Sequence, residues 1–240
     1  MSDTLAEHRE SWSRKPVLRA IYADYYRRML VWAKPGTTLE IGGGTGNLKS
    51  FVPDIISTDI QFANWLDAVA DAQRLPFAAE SFMNIFMVDV LHHIEKPLTF
   101  LAEVARVLGR GGRLIVVEPA ITPISHVVYR LFHPEPIDLS VDALSGGSPS
   151  QHKDPYAANQ AIPTLLFGRD RQRLEKLLPQ LKVITHEHLA LWAYLLSGGF
   201  RAWSLLPAVV LPTVLRVEDK LMPHLGSRMA FRMLGVIEKR

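Results

Sequence analysis

Hydrophobic and polar positions along this chain switch between two rhythms. Leu18, Ile21, Tyr22, Tyr25 and Met29 recur at spacings of three and four, which predicts a helix over residues 3–34, stopped by Lys34-Pro35-Gly36. Short apolar runs follow. Residues 37–41, 54–59, 67–70, 84–88 and 113–118 read as five strands. Between the last two, residues 97–108 put Leu98, Leu101, Val104, Ala105 and Leu108 on one helical face, and the glycines of 109–112 are expected to end that helix. Residues 169–178 read as a short charged helix. Residues 182–188 alternate with period two, and 230–237 read as the last strand.

Strands alternating with helices imply an α/β fold, a largely parallel sheet covered on both faces. Ligands of such sheets bind beyond the carboxyl ends of the strands, where strand order reverses. The residues just after each strand therefore carry the functional interest. Two stretches break the rhythm. Residues 119–168 are rich in Pro, Gly, Ser and His and read as an insertion over the sheet edge; residues 189–225 are apolar, helical and interrupted by proline. The expectation is one domain over 1–240. It has a helical segment at 1–36, a ligand-binding core at 37–118, and the two insertions as a cap.

Composition narrows the classes. The chain has 240 residues, 48% hydrophobic and 21% charged, which suits a globular domain with a substantial core. There is no cysteine, so disulfides, thiolate metal sites and cysteine nucleophiles are excluded, and a cytoplasmic setting fits. The net charge of +3 is spread along the chain, so nucleic acid is not an expected partner. The polar N-terminus has no apolar signal core. Residues 189–215 carry one charge, Arg201, but Gly198, Gly199, Pro207 and Pro212 keep any run short of the ~18–20 residues of a membrane span. That segment reads as a pocket wall, a homodimer face, or a peripheral contact with the inner face of the membrane through Trp192, Tyr194, Phe200 and Trp203.

Candidate chemistry begins after the first strand, at Glu40-Ile41-Gly42-Gly43-Gly44-Thr45-Gly46-Asn47. Glycines let the backbone turn sharply and let a ligand approach the main chain, and a following helix would aim free N–H groups at it. A dinucleotide fingerprint needs a third glycine where Asn47 stands, so that pattern fails. Asp59 ends the second strand, where a carboxylate suits two ribose hydroxyls or, alternatively, caps a helix.

The spacing of Gly42, Gly44 and Gly46 resembles motif I of the class I S-adenosylmethionine-dependent methyltransferases. Residues 71–77 resemble the segment that receives adenine. Residues 80–85 resemble the turn into strand four, with Asn84 where aspartate is usual. Residues 87–94 resemble motif IV, and 108–114 resemble the lead into strand five, with Arg110 where proline is common. The resemblance covers 37–118, about a third of the chain. Outside it, residues 129–136, 159–163 and 196–199 resemble, loosely, a bacterial group of methyltransferases that act on small molecules and stand beside polysaccharide and lipid pathways.

The resemblance implies a Rossmann-like, seven-stranded, mostly parallel sheet with helices on both faces, an antiparallel last strand and S-adenosyl-L-methionine as cofactor. It implies cofactor contacts from Glu40, Gly42, Gly44, Gly46, Asp59, Ile60, Asp71, Ala72, Asp89 and Val90. The reaction implied is an in-line displacement toward a small-molecule, lipid- or sugar-linked acceptor. A hydroxyl or acidic carbon acceptor also needs a base. His93 is the first candidate and His92 the second; Glu118 is expected to orient the acceptor and His133 to lie in the covering insertion. Tyr22 and Tyr26 fit the core as well as the cofactor wall. No metal is expected, because adjacent histidines seldom share an ion. The rival functions are a nicotinamide oxidoreductase, which Asp59 would also serve, and a non-catalytic partner subunit that keeps the cofactor fold.

Overall fold

The structure, a computed structural model, describes residues 4–150 and 154–240. The predicted helical start at residue 3 and the 151–153 part of the insertion lie outside the described residues.

Seven strands form one sheet: β1 (Thr38–Ile41), β2 (Ile56–Asp59), β3 (Ala68–Val69), β4 (Phe82–Val88), β5 (Leu108–Pro119), β6 (Leu181–Leu189) and β7 (Arg232–Lys239). Their order is β3-β2-β1-β4-β5-β7-β6. Strands β1 to β5 pair in parallel, and β7 runs antiparallel to both its neighbours. The chain works outward from β1 to β3, then restarts on the other side of β1 with β4. That reversal opens a crevice beyond Ile41 and Val88.

Period-two alternation divides the apolar residues between two cores. Ile85, Met87, Leu114 and Val116 face one side, under α3 (Pro97–Val107), α5 (Ile162–Phe167) and α6 (Arg171–Leu177). Phe86, Ile115, Val117, Leu234 and Val236 face the other, under α2 (Pro16–Leu30), α7 (Ala193–Ser197) and α8 (Leu211–Met229). Each face would be left wet without its helices, so the sheet and both helical layers are one cooperative unit.

Several expected boundaries move, each for a local reason. The N-terminal helix is two: α1 (Thr4–Arg14) ends at Lys15, because Pro16 has no N–H to continue it and starts α2 instead. Glycines 109–112 do not separate helix from strand. α3 hands directly to β5, and the glycines form an irregularity in which 108–113 oppose only 82–84. After the glycine turn there is no full helix, only one 3₁₀ turn, Asn47–Ser50. The 119–168 insertion is not wholly irregular. Pro123–Phe132 forms α4, capped reciprocally by Thr122 and Ser125, with Tyr129 Oη donating to Phe231 O at 2.6 Å.

Asn84, the departure from the family pattern, has a structural reason. Its Oδ1 accepts from Lys34 N at 2.7 Å while its Nδ2 donates to Lys34 O at 2.8 Å. A carboxylate accepts only, so it would lose the second bond.

Candidate active site

One cavity of about 640 Å³ opens at the strand reversal. Its near end is the glycine turn. Gly42, Gly44 and Gly46 have φ of 71°, 47° and 71°, the left-handed region that a side chain disfavours. A Cβ on Gly42 would stand 2.2 Å from Val90 Cγ2, so β1 and the segment after β4 approach closely only because Gly42 has none. Gly46 does not reach the cavity wall and packs against Trp65, whose Nε1 donates to Gly44 O at 2.8 Å. The short 3₁₀ turn removes the expected helix dipole, so recognition here falls to individual N–H groups and side chains.

Two carboxylates flank the turn. Glu40, on β1, is buried, and burial pushes its carboxyl up to about 7 against the hydrogen bond donated by Ser57 Oγ. Asp59, at the end of β2, is also raised by burial, with Gly44 N and Gln61 N opposing at 3.0 and 2.9 Å. No helix begins there, so Asp59 is not a helix cap. Ile60, Asp71 and Ala72 continue the wall, and Asp71 Oδ1 accepts from Gln73 N at 2.9 Å.

Asp89 closes the middle of the crevice. Its φ of 58° is unusual for a residue with a side chain, and aspartate tolerates it better than most. Arg232 Nη1 donates to its Oδ1, and Tyr22 Oη donates to Oδ2 at 3.3 Å. Arg232 is buried, with its guanidinium 4.2 Å from the centre of the Tyr194 ring, so β7 supplies a cation to the site. Tyr22 and Tyr26 are both core residues and cavity wall.

The far end holds the histidines, on a 3₁₀ turn, Leu91–His93. Glu118 lies behind them with no solvent exposure and does not line the cavity. Its Oε1 accepts from Val90 N and Leu91 N at 2.8 and 2.7 Å, and Oε2 meets His92 Nδ1 at 2.6 Å. Committed to those three groups, Glu118 is a support for the turn; this corrects its expected role on the acceptor. His92 Nε2 then faces Glu135 Oε2 at 3.4 Å. Burial alone would lower His92, but Glu118 and Glu135 outweigh it and push the imidazole up to about 10. His92 is therefore a held cation at neutral pH and not the second candidate base. The same pair holds Glu135 down at about 2 against its own burial.

His93 differs. Its ring lines the cavity, and burial followed by the His92 charge lowers it, so it is neutral at pH 7. Its Nδ1 lies 3.4 Å from Ala157 O. His133, also lowered by burial, meets Gln160 Nε2 through Nδ1 at 2.8 Å. The loop around 154–160 seals this end: Asn159 N donates to His92 O at 2.9 Å, and Gln61 Nε2 to Tyr156 Oη at 3.1 Å.

Residues 39–116 match the family model described as a methyltransferase domain. That match covers about a third of the chain, from β1 into β5. The chain's fold is the class I methyltransferase fold. A chain of the complex between the Haloferax volcanii Trm112 methyltransferase activator and its methyltransferase superposes over 99% of this chain and 95% of its own, with TM-score 0.55 at 17% identity. The [4+2]-cyclase SpnF superposes over 90% and 80%, with TM-score 0.52 at 14% identity. A SAM-dependent methyltransferase from Archaeoglobus fulgidus does so over 92% and 94%, with TM-score 0.50 at 13% identity. At such identities the likeness is one of fold. In sequence, the chain is 30% identical over 122 residues to MJ1123 of Methanocaldococcus jannaschii, described as uncharacterized; the match spans 48% of this chain and 58% of that relative.

Three contributors were missed from sequence. Lys15 Nζ donates to Ser197 O, Gly199 O, Arg201 O and Trp203 O at 2.6–2.9 Å, tying the α1–α2 break to the cavity rim. Arg232 and Gln160 are the others. The only signal for Lys15 was the Lys-Pro step, and nothing local marked Arg232 or Gln160, because their partners are distant in the chain.

Proposed function

We propose that this methyltransferase domain transfers the methyl group of S-adenosylmethionine, in line, to a small lipid-linked acceptor. The carrying observation is that one cavity runs from the glycine turn and Asp59 to the neutral imidazole of His93. The adenosine end of the cofactor would lie along Asp59, Ile60, Asp71 and Ala72. Its methionine end would lie along Gly42, Gly44 and Glu40, with Asp89 and Val90 near the sulfur. The acceptor would then face His93, His133 and Glu135.

In the reaction an acceptor atom forms a bond to the methyl carbon as the carbon–sulfur bond breaks. The electron pair stays on sulfur, leaving S-adenosylhomocysteine. The protein's chief task is alignment at roughly 3–3.5 Å. The lone pair of His93 assists removal of the acceptor's proton. His92, Glu118 and Glu135 fix the turn that carries it.

Lipid-linked substrates are supported by the cavity rim. On α4, Ile124, Val127, Leu131 and Phe132 point outward, the last two 68% and 67% exposed. Trp203, Leu205 and Val209 are also exposed, and Arg201 Nη2 donates to Phe132 O at 3.3 Å, linking the segment around 201 to the end of α4. Residues 120–134 and 199–217 contain no Asp or Glu, while Arg130, Arg201 and Arg216 are exposed. An apolar, acid-free rim suits an anionic lipid surface. No helix among the described residues is long and apolar enough to cross a membrane.

The test is turnover with labelled cofactor on lipid-linked extracts, comparing the parent protein with His93→Ala. The variant should lose about 10²-fold or more in turnover and keep its affinity for S-adenosylhomocysteine. Equal turnover would remove His93 from the chemistry.

A further inference from the structure

Adjacent histidines point apart on a strand and lie 100° apart on an α-helix, which argues against a shared ion. Here they sit on a 3₁₀ turn, and their ring centroids are 4.2 Å apart with planes at 39°. Ligand atoms of His92, His93 and Glu135 all lie within 4.8 Å of one another. A 3₁₀ turn by itself would set adjacent side chains about 120° apart; it is the side-chain rotamers that bring the two rings together.

We infer that His92, His93 and Glu135 form a site for a divalent transition-metal ion, Zn²⁺ in type, with an open position toward the acceptor. Two imidazoles and one carboxylate are the donor set of open metal sites, in which a water or substrate oxygen completes the coordination.

The supporting groups have the arrangement that metal-binding histidines require. A ligating imidazole almost always gives its other ring nitrogen to a carboxylate or carbonyl. Glu118 Oε2 takes His92 Nδ1 at 2.6 Å, and Ala157 O faces His93 Nδ1 at 3.4 Å. The Glu118 contact leaves His92 Nε2 as the atom that faces Glu135. Glu118 is itself fixed by two backbone N–H groups, so the His92 ring cannot rotate freely. Glu135 is steadied by Gln160 Nε2 at 3.1 Å. His92 Nε2 and Glu135 Oε2 are 3.4 Å apart, close to the edge of a tetrahedron built on bonds of roughly 2.0–2.1 Å. His92, His93 and Glu135 all line the cavity, so an ion among them would face the acceptor end.

The inference rests on the acceptor end assigned above and deepens it. An ion here would displace the Nε2 proton of His92 and occupy the His93 lone pair; the ion, in place of His93 as base, would draw an acceptor oxygen into its open position and favour loss of that oxygen's proton to water. A hydroxyl, enol or carboxylate acceptor fits such an ion; a cationic amine does not.

The test uses the full chain stripped with a chelator, then titrated with Zn²⁺ by calorimetry and with Co²⁺ by visible absorption. About one ion per chain is expected, with the intense visible bands of low-coordinate Co²⁺. His93→Ala and Glu135→Gln should each weaken binding at least tenfold, while His224→Ala, an exposed histidine elsewhere, should leave it unchanged. S-adenosylhomocysteine titrations of every variant report folding and test the cofactor reading separately. Failure of Zn²⁺ and Co²⁺ to bind at micromolar concentration, or binding that His93→Ala and Glu135→Gln leave intact, overturns the site.

Discussion

Glu40 shows how one residue can be costly to the fold and useful to the site. In the unfolded chain it ionises in the ordinary carboxylate range, near 4.5; in the folded protein burial delays this to about 7. A raised carboxyl contributes stability below the unfolded pKa and loses it as pH rises toward the folded one. The window is therefore about pH 4.5 to 7. Glu40→Gln has no charge to bury. It should be more stable than the parent at pH 8 by up to about 3 kcal/mol, the gap closing near pH 4.5. Denaturant midpoints at pH 4.5, 6 and 8 check this; a gap independent of pH would show that Glu40 is not the titrating group. The same substitution should weaken cofactor binding, because an ionised Glu40 suits a cationic amino group.

Between elements, two features govern how the cavity is closed. Lys15 brings one ammonium to four carbonyls of residues 197–203, although an ammonium has only three hydrogens. Lys15→Met should leave those carbonyls unpaired and cost about 2–4 kcal/mol, with new protease sensitivity around 197–205. A parent-like digestion pattern would mean the loop holds without it. The second feature is α4, whose Ser125 and N-cap Thr122 are buried while Ile124, Val127, Leu131 and Phe132 face out. The parent protein should co-sediment with anionic vesicles, and salt should weaken it. Val127→Asp with Leu131→Asp should cut that binding at least tenfold. If both proteins bind neutral and anionic vesicles alike, or not at all, the rim serves another purpose.

These elements also show what can be read from a chain alone. β1, β2, β4 and β5 were legible because a buried parallel strand is an apolar run between turns, and order and spacing did the rest. α4 was not legible. Helix periodicity is read by assuming that the apolar side faces the core, and here it faces away. Glycines 109–112 misled because a strand irregularity and a helix stop use the same residue. At the site, the glycine turn and Asp59 stood out by their place after strands and Asp71 only through the family resemblance; all three lie along the cavity. The roles of His92 and Glu118 were not, since a mutual 2.6 Å contact across 26 residues leaves no local mark.

Taken whole, the molecule is one sheet with two cores and a crevice where strand order reverses. The lid over that crevice comes from three directions: α1, the 154–160 loop and the 197–203 loop. α1 has no buried residue, yet Leu5 and His8 line the cavity and Arg9 stands 4.3 Å from the centre of the Trp65 ring. An element with so little burial opens at low free energy, which suits a cofactor that must enter and leave. The SpnF likeness is a reminder that this fold also carries a cyclase, so function must rest on the crevice itself.

Calorimetric titration of the full chain with S-adenosylhomocysteine, run beside NADH and repeated with Asp59→Ala, tests that crevice most directly. The expected result is one site per chain for the homocysteine compound, no heat from NADH, and a loss of roughly 1.5–3 kcal/mol of binding free energy in the variant. Binding of NADH alone, or an affinity for S-adenosylhomocysteine that Asp59→Ala leaves unchanged, would contradict the account.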